Sequence, residues 1–142
     1  MKESQFIISA EVLPGGVIAT HGIAGILVEG ETFSGYPIRA LWDTGANTSA
    51  ISEEIADLIK PEFLRKHSVD TAHDGPTELS SYSNVSFMLA DGLVFTPRST
   101  DVVNLEGQRI DAIIGMDIIS QGTLLIEPTE GGCCRFTFTY EL

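Results

Sequence analysis

The sequence predicts a mainly β fold with one or two short helices, and three observations carry that expectation. β-branched and aromatic residues gather in short runs, Gly, Pro and Asp punctuate the runs about every ten residues, and only two stretches suggest helix. At 142 residues, 43% of them hydrophobic, the chain suits one buried core, so a single domain over 1–142 is expected.

The clearest hairpin joins Asn84-Val85-Ser86-Phe87-Met88-Leu89-Ala90 to Leu93-Val94-Phe95-Thr96 through Asp91-Gly92, the turn chemistry that short connections favour. A second is expected between Asp101–Leu105 and Gln108–Ile114 around Glu106-Gly107. A third joins Thr123–Glu127 to Cys134–Tyr140 through Pro128–Gly132. The better helix starts at Ser52, an N-cap followed by Glu53 and Glu54, whose charge suits the positive helix end. Ile51, Ile55, Leu58 and Ile59 then share a face, and Pro61 ends the run. The other is a short turn over Met116–Gln121, with Asp117 near its start and Gly122 as terminator. A twofold echo links Ala40-Leu41-Trp42-Asp43-Thr44-Gly45 to Asp111-Ala112-Ile113-Ile114-Gly115: each is an apolar strand ending at glycine, followed by a helical segment.

Charge narrows the partners. Eight Lys plus Arg against 20 Asp plus Glu give a net charge of −12 with no basic patch, which disfavours nucleic acid and anionic membranes. No stretch approaches the roughly 18 uninterrupted apolar residues of a spanning helix. The first residues carry one Lys and a short apolar run broken by Glu11, unlike a secretion signal, so a cytoplasmic location is expected. The adjacent Cys133 and Cys134 lack a metal-ligand spacing and are expected reduced, with at least one packed in the core. His21, His67 and His73, even with Asp70 or Asp74, form no metal-binding spacing, so neither metal nor cofactor is expected.

The chemistry centres on Asp43-Thr44-Gly45-Ala46-Asn47-Thr48-Ser49, which follows an apolar strand and precedes a helix. Asp, Gly and Asn are also the commonest turn residues, so the segment read alone is equally a strand-terminating turn whose aspartate bonds its own loop. The pairing of Leu41-Trp42-Asp43-Thr44-Gly45-Ala46-Asn47 with the later Ile113-Ile114-Gly115-Met116-Asp117 is more specific, and it resembles the retropepsin family, the retroviral-type aspartic proteases. The resemblance covers roughly 22–126 and implies a closed β-barrel. It also implies that Asp43 is the catalytic carboxylate, that Thr44 locks two active loops together, and that Gly45 contacts the carboxylate by its backbone. Ile114 and Gly115 would lie against the active loop. Ala46, Asn47, Ile114 and Gly115 would form the substrate site with His73, Asp74, Gly75 and Pro76, where Asp74-Gly75-Pro76 is the tip of a covering flap.

Peptide hydrolysis without metal or nucleophile needs one carboxylate to deprotonate water and a second, protonated, to donate to the carbonyl. Two adjacent carboxylates share one proton and so supply both roles. Only one Asp-Thr-Gly occurs in the chain, so a homodimer with Asp43 paired across a twofold axis is expected, acting as an endopeptidase on peptides or unfolded proteins. Asp111 and Asp117, the other candidates for a second carboxylate, are expected to cap and pair locally. Pro76 cannot donate a ladder hydrogen bond, so the Asp74-Gly75-Pro76 tip should project from the sheet. Three features depart from the viral pattern: Trp42 is bulky and expected to turn into the core, the flap lacks a run of glycines, and 127–142 add a C-terminal strand. A non-catalytic peptide-binding or assembly domain of the same fold is the main alternative, and a metal-dependent hydrolase the third.

Overall fold

Hydrophobic alternation at period two sets most of the architecture seen in a computed structural model, which describes residues 5–28, 30–71 and 75–142. The strands are β1 (Gln5–Val12), β2 (Ala19–Ile26), β3 (Tyr36–Trp42), β4 (Ala50–Ser52), β5 (Glu62–Thr71), β6 (Gly75–Ser83), β7 (Val85–Ala90), β8 (Leu93–Phe95), β9 (Thr100–Val103), β10 (Ala112–Ile114), β11 (Thr123–Pro128) and β12 (Cys134–Glu141). Two helices interrupt them, α1 (Glu53–Ile59) and α2 (Met116–Ile119). No helix among the described residues is long and apolar enough to cross a membrane.

The strands form a nine-stranded sheet in the order β5-β6-β9-β4-β10-β3-β2-β7-β8 and a three-stranded sheet in the order β1-β12-β11. The expected closed barrel is therefore corrected. Closure requires the terminal strands of a sheet to pair, and β5 and β8 end the larger sheet with a partner on one side only. The second sheet instead supplies a cover. Val12, Phe136 and Phe138 from it enter the same buried cluster as Ile38, Trp42 and Ile114 from the first.

Two expected hairpins form: β7 pairs antiparallel with β8, and β11 with β12. Gly92 takes φ +81° in the first turn, the left-handed region that glycine enters without steric cost. The hairpin expected across Glu106-Gly107 does not form. β9 and β10 are separated by β4, which runs parallel to β9 and antiparallel to β10. Every residue of β4 is buried, so the strand is stable only between two neighbours, and the Glu106-Gly107 turn merely closes a loop with Gln108 N–H on Leu105 O at 3.1 Å.

α1 begins as its cap predicts. Ser52 Oγ accepts the Ile55 N–H at 3.2 Å, Lys60 ends the helix at φ 52°, and Pro61 follows. Its apolar face is narrower than expected, because Ile51 belongs to β4 and Leu58 is 49% exposed, leaving Ile55 and Ile59 on the core. The echo between the two halves of the sequence is spatial: β3 and β10 lie side by side in parallel, with Ala40 opposite Ala112 and Trp42 opposite Ile114.

Candidate active site

Asp43 leaves the end of β3 where that parallel pairing stops. Trp42, one residue earlier, points into the core, 6% exposed, with its ring tilted against Phe136 and Phe138 at 4.9 and 5.0 Å. Its Nε1–H donates to Thr20 Oγ1 at 2.9 Å, so the indole is both packed and satisfied. Strand alternation therefore turns Asp43 the other way, and it is half-buried at the surface of the sheet. The indole anchors the residue that carries the acid.

The turn is held by backbone bonds on both sides. Asp43 N–H donates to Ile114 O at 2.9 Å, Ala46 N–H to Asp43 O at 3.2 Å, and Met116 N–H to Ala46 O at 2.7 Å. Gly45 N–H donates to Asp43 Oδ1 at 2.8 Å, which orients the carboxylate from within the turn. Gly115 is required by close approach: a Cβ there would lie 2.8 Å from Ala46 O and 2.9 Å from Thr48 C. The Ile-Ile-Gly strand thus forms a wall against which the acid turn is pressed.

A second set of contacts fixes the far end of the turn. Ser49 is fully buried, its N–H and Oγ–H donate to Asp117 Oδ2 and Oδ1 at 2.9 and 2.6 Å, and its Oγ accepts the Gly115 N–H at 2.9 Å. Asp117 was expected to pair locally; it reaches 68 positions along the chain instead, because β3 and β10 bring α2 against the turn. Asp111 likewise bonds at long range, accepting the Arg39 N–H at 2.9 Å from 72 positions away. Neither carboxylate is spare for catalysis, since each already holds backbone in place.

Asp43, Gly45, Ala46 and Asn47 open onto a cleft of about 430 Å³ that Val69, Asp70 and Leu79 border from above and Asp101 and Ile113 from the sheet. Val69 and Asp70 come from β5 and Leu79 from β6, the two strands of a hairpin whose ladder runs from Glu62–Ser83 to Thr71–Gly75. The pairing of β6 with β9 covers Ser80–Tyr82, and among the described residues no third strand is paired with the part of the hairpin beyond it, where Pro76 lies opposite Asp70. His73 and Asp74, expected at its tip, lie outside the described residues. Thr44 and Asn47 are exposed. Ile114 meets the turn through its carbonyl, its side chain being fully buried, and the side chain that lines the cleft is Ile113. A larger cavity of about 610 Å³ shares only Leu79 and Val103 with this cleft and does not contain Asp43. Among the described residues no three His, Cys, Asp or Glu side chains group as metal ligands.

This arrangement of acid turn and glycine wall coincides with a family match. The family described as "Aspartyl protease" matches residues 28–118, which includes the turn, the hairpin and the Ile-Ile-Gly strand. The chain belongs to the aspartyl protease family. The fold agrees: a retropepsin-like aspartic protease from Rickettsia conorii superposes with a TM-score of 0.56 at 15% identity, covering 99% of this chain and 97% of that one. No curated protein matches the sequence.

Within this aspartyl protease, the residues that sequence reasoning missed are Ser49, Ser81 and Asp101. Asp101 is 6% exposed, and its Oδ1 accepts Ser81 Oγ–H at 2.7 Å and lies 2.8 Å from His67 Nε2. An ionised carboxylate only accepts, so the ring nitrogen facing it carries the proton. The only signal in the sequence is a lone acid at the head of an apolar strand, which is indistinguishable from a solvated strand end.

Proposed function

We propose that the protein is an aspartic endopeptidase whose active site is completed by a second copy of the chain, each contributing one Asp43. The observation that carries this reading is stoichiometric. The chain holds a single Asp-Thr-Gly, and its aspartate borders an open cleft while Asp101, Asp111 and Asp117 are engaged in holding strands and turns together and Asp70, the remaining acid on the cleft, belongs to the bordering hairpin rather than to a turn of this kind. Thr44 beside it is exposed, which leaves it open to contact the same turn of a partner.

In the pair, the two Asp43 carboxyl groups hold one proton and a water between them. The ionised member takes a proton from the water as its oxygen adds to the peptide carbonyl, and the protonated member donates to the carbonyl oxygen. The resulting gem-diol collapses when the newly protonated carboxyl passes its proton to the amide nitrogen and the other, now ionised, carboxylate takes a proton from a gem-diol hydroxyl, so that the C–N bond breaks to an amine and a carboxylic acid and the pair again holds one proton. The enzyme forms no covalent bond to the substrate. An extended peptide suits the cleft, because the strands β5 and β6 above it and the turn below offer backbone partners along its length.

Asp43→Asn tests the proposal. Cleavage of a peptide library should fall below detection while the far-ultraviolet circular dichroism spectrum is kept. Refolding equal amounts of unfolded wild-type and variant chains together should make about one quarter of all pairs wild type, so activity falls to about one quarter of that of the same total amount of wild-type protein. Activity that falls only to one half would show that each chain works alone.

A further inference from the structure

Asp101 lies at the base of the hairpin that borders the cleft, and its contacts run in three directions. On one side its Oδ1 takes His67 Nε2 at 2.8 Å, from the outgoing strand β5. The same oxygen takes Ser81 Oγ–H at 2.7 Å, from the returning strand β6. On the other side its own N–H donates to Ser49 O at 3.1 Å, and Ser49 is the residue that binds Asp117 and the Gly115 N–H behind the acid turn.

We infer that Asp101 and His67 are positioning residues that couple the hairpin to the catalytic turn, setting the height of Val69, Asp70 and Leu79 over Asp43. The inference rests on the peptidase reading for its effect on catalysis, though not for its effect on the hairpin. β6 is already joined to β9 through Ser80, Ser81 and Tyr82, whereas β5 is an edge strand whose ladder runs to β6 alone. The His67 bond is a direct link from β5 to β9, and it passes over β6 to reach it. A hydrogen bond to an ionised group is stronger than a neutral one, and this one ends on a carboxylate that is 8% exposed. By contrast the nearby Lys66–Glu78 pair, at 3.9 Å with both side chains above 60% exposed, contributes little to holding the strands. Removing the imidazole frees β5 to swing about its bond ladder while β9, Ser49 and the acid turn stay in place.

The test compares His67→Ala and His67→Gln with wild type, since His67 is exposed enough for both to fold and Gln restores a donor. Amide hydrogen exchange is followed without substrate in two segments, Phe63–Val69 and Val85–Ala90. His67→Ala should speed exchange in the first about tenfold or more and leave the second unchanged, with His67→Gln in between. On a peptide that wild type cleaves, His67→Ala should raise KM roughly threefold or more with kcat nearly unchanged, because substrate binding weakens while the acid pair is untouched. Unchanged exchange in Phe63–Val69 overturns the coupling. If wild type cleaves no peptide but exchange responds as stated, the peptidase reading fails and the clamp stands.

Discussion

Replacing Gly115 by Ala tests how tightly the acid turn is built. Gly115 has φ −99°, open to any residue, so the demand for glycine is steric alone. The added Cβ would sit 2.8 Å from Ala46 O, 2.9 Å from Thr48 C and 3.0 Å from Thr48 O, all backbone atoms that cannot rotate away. Ordinary contact requires about 0.5 Å more, and the turn is the only side free to yield, since β10 is held between β3 and β4. Overpacking of this kind costs about 1–3 kcal/mol. The same shift displaces Asp43, and because a misplacement of about 1 Å can cost on the order of a hundredfold, the proposed peptidase activity should lose roughly tenfold in kcat/KM. Gly25→Ala is the control: its Cβ would meet Ser34 O at 2.5 Å and Gly35 Cα at 3.0 Å, backbone atoms between β2 and β3 that do not border the cleft. Urea unfolding measures the first quantity and peptide cleavage the second. Gly25→Ala should lose stability with kcat/KM per folded enzyme retained, and Gly115→Ala should lose both. A Gly115→Ala protein that unfolds with wild type and keeps kcat/KM within about twofold would refute the reasoning.

Two further outcomes follow from packing and capping. Ser52→Ala removes the acceptor for the Ile55 N–H inside a buried site, and should lower the unfolding free energy by about 1 kcal/mol in urea titration; an unmoved midpoint would show that the cap is idle. Phe138→Ala empties a fully buried ring beside Trp42 and should cost about 3–5 kcal/mol, read as a large drop in thermal midpoint, whereas a drop of only a degree or two would mean that the two sheets pack independently.

What was legible in the sequence was local. Asp91-Gly92 announces its hairpin, Ser52 and Pro61 bound α1, and alternation turns Trp42 inward, because each of these effects is decided within a few residues. The parallel seam of β3 and β10 was foreshadowed by the repeated strand-to-glycine pattern. The β9–β10 pairing failed because β4 is three residues long, too short to show a period, yet buried enough to displace a hairpin. Asp117 and Asp101 were opaque for the same reason: their partners lie 68 and, for His67, 34 positions away, and only the folded topology brings them together. Sheet closure was a property of the resemblance, and pairing at the sheet edges decided it otherwise.

β1 and β12 are partners, with Gln5 opposite Glu141 and Val12 opposite Cys134. Phe136 and Phe138 therefore reach Trp42 from more than ninety positions further along the chain. The acid beside Trp42 and the wall at Ile114 likewise meet only after most of the chain is made, and such long-range closure is slow. A chain without β10 thus carries the Asp-Thr-Gly letters but lacks the wall that holds their turn.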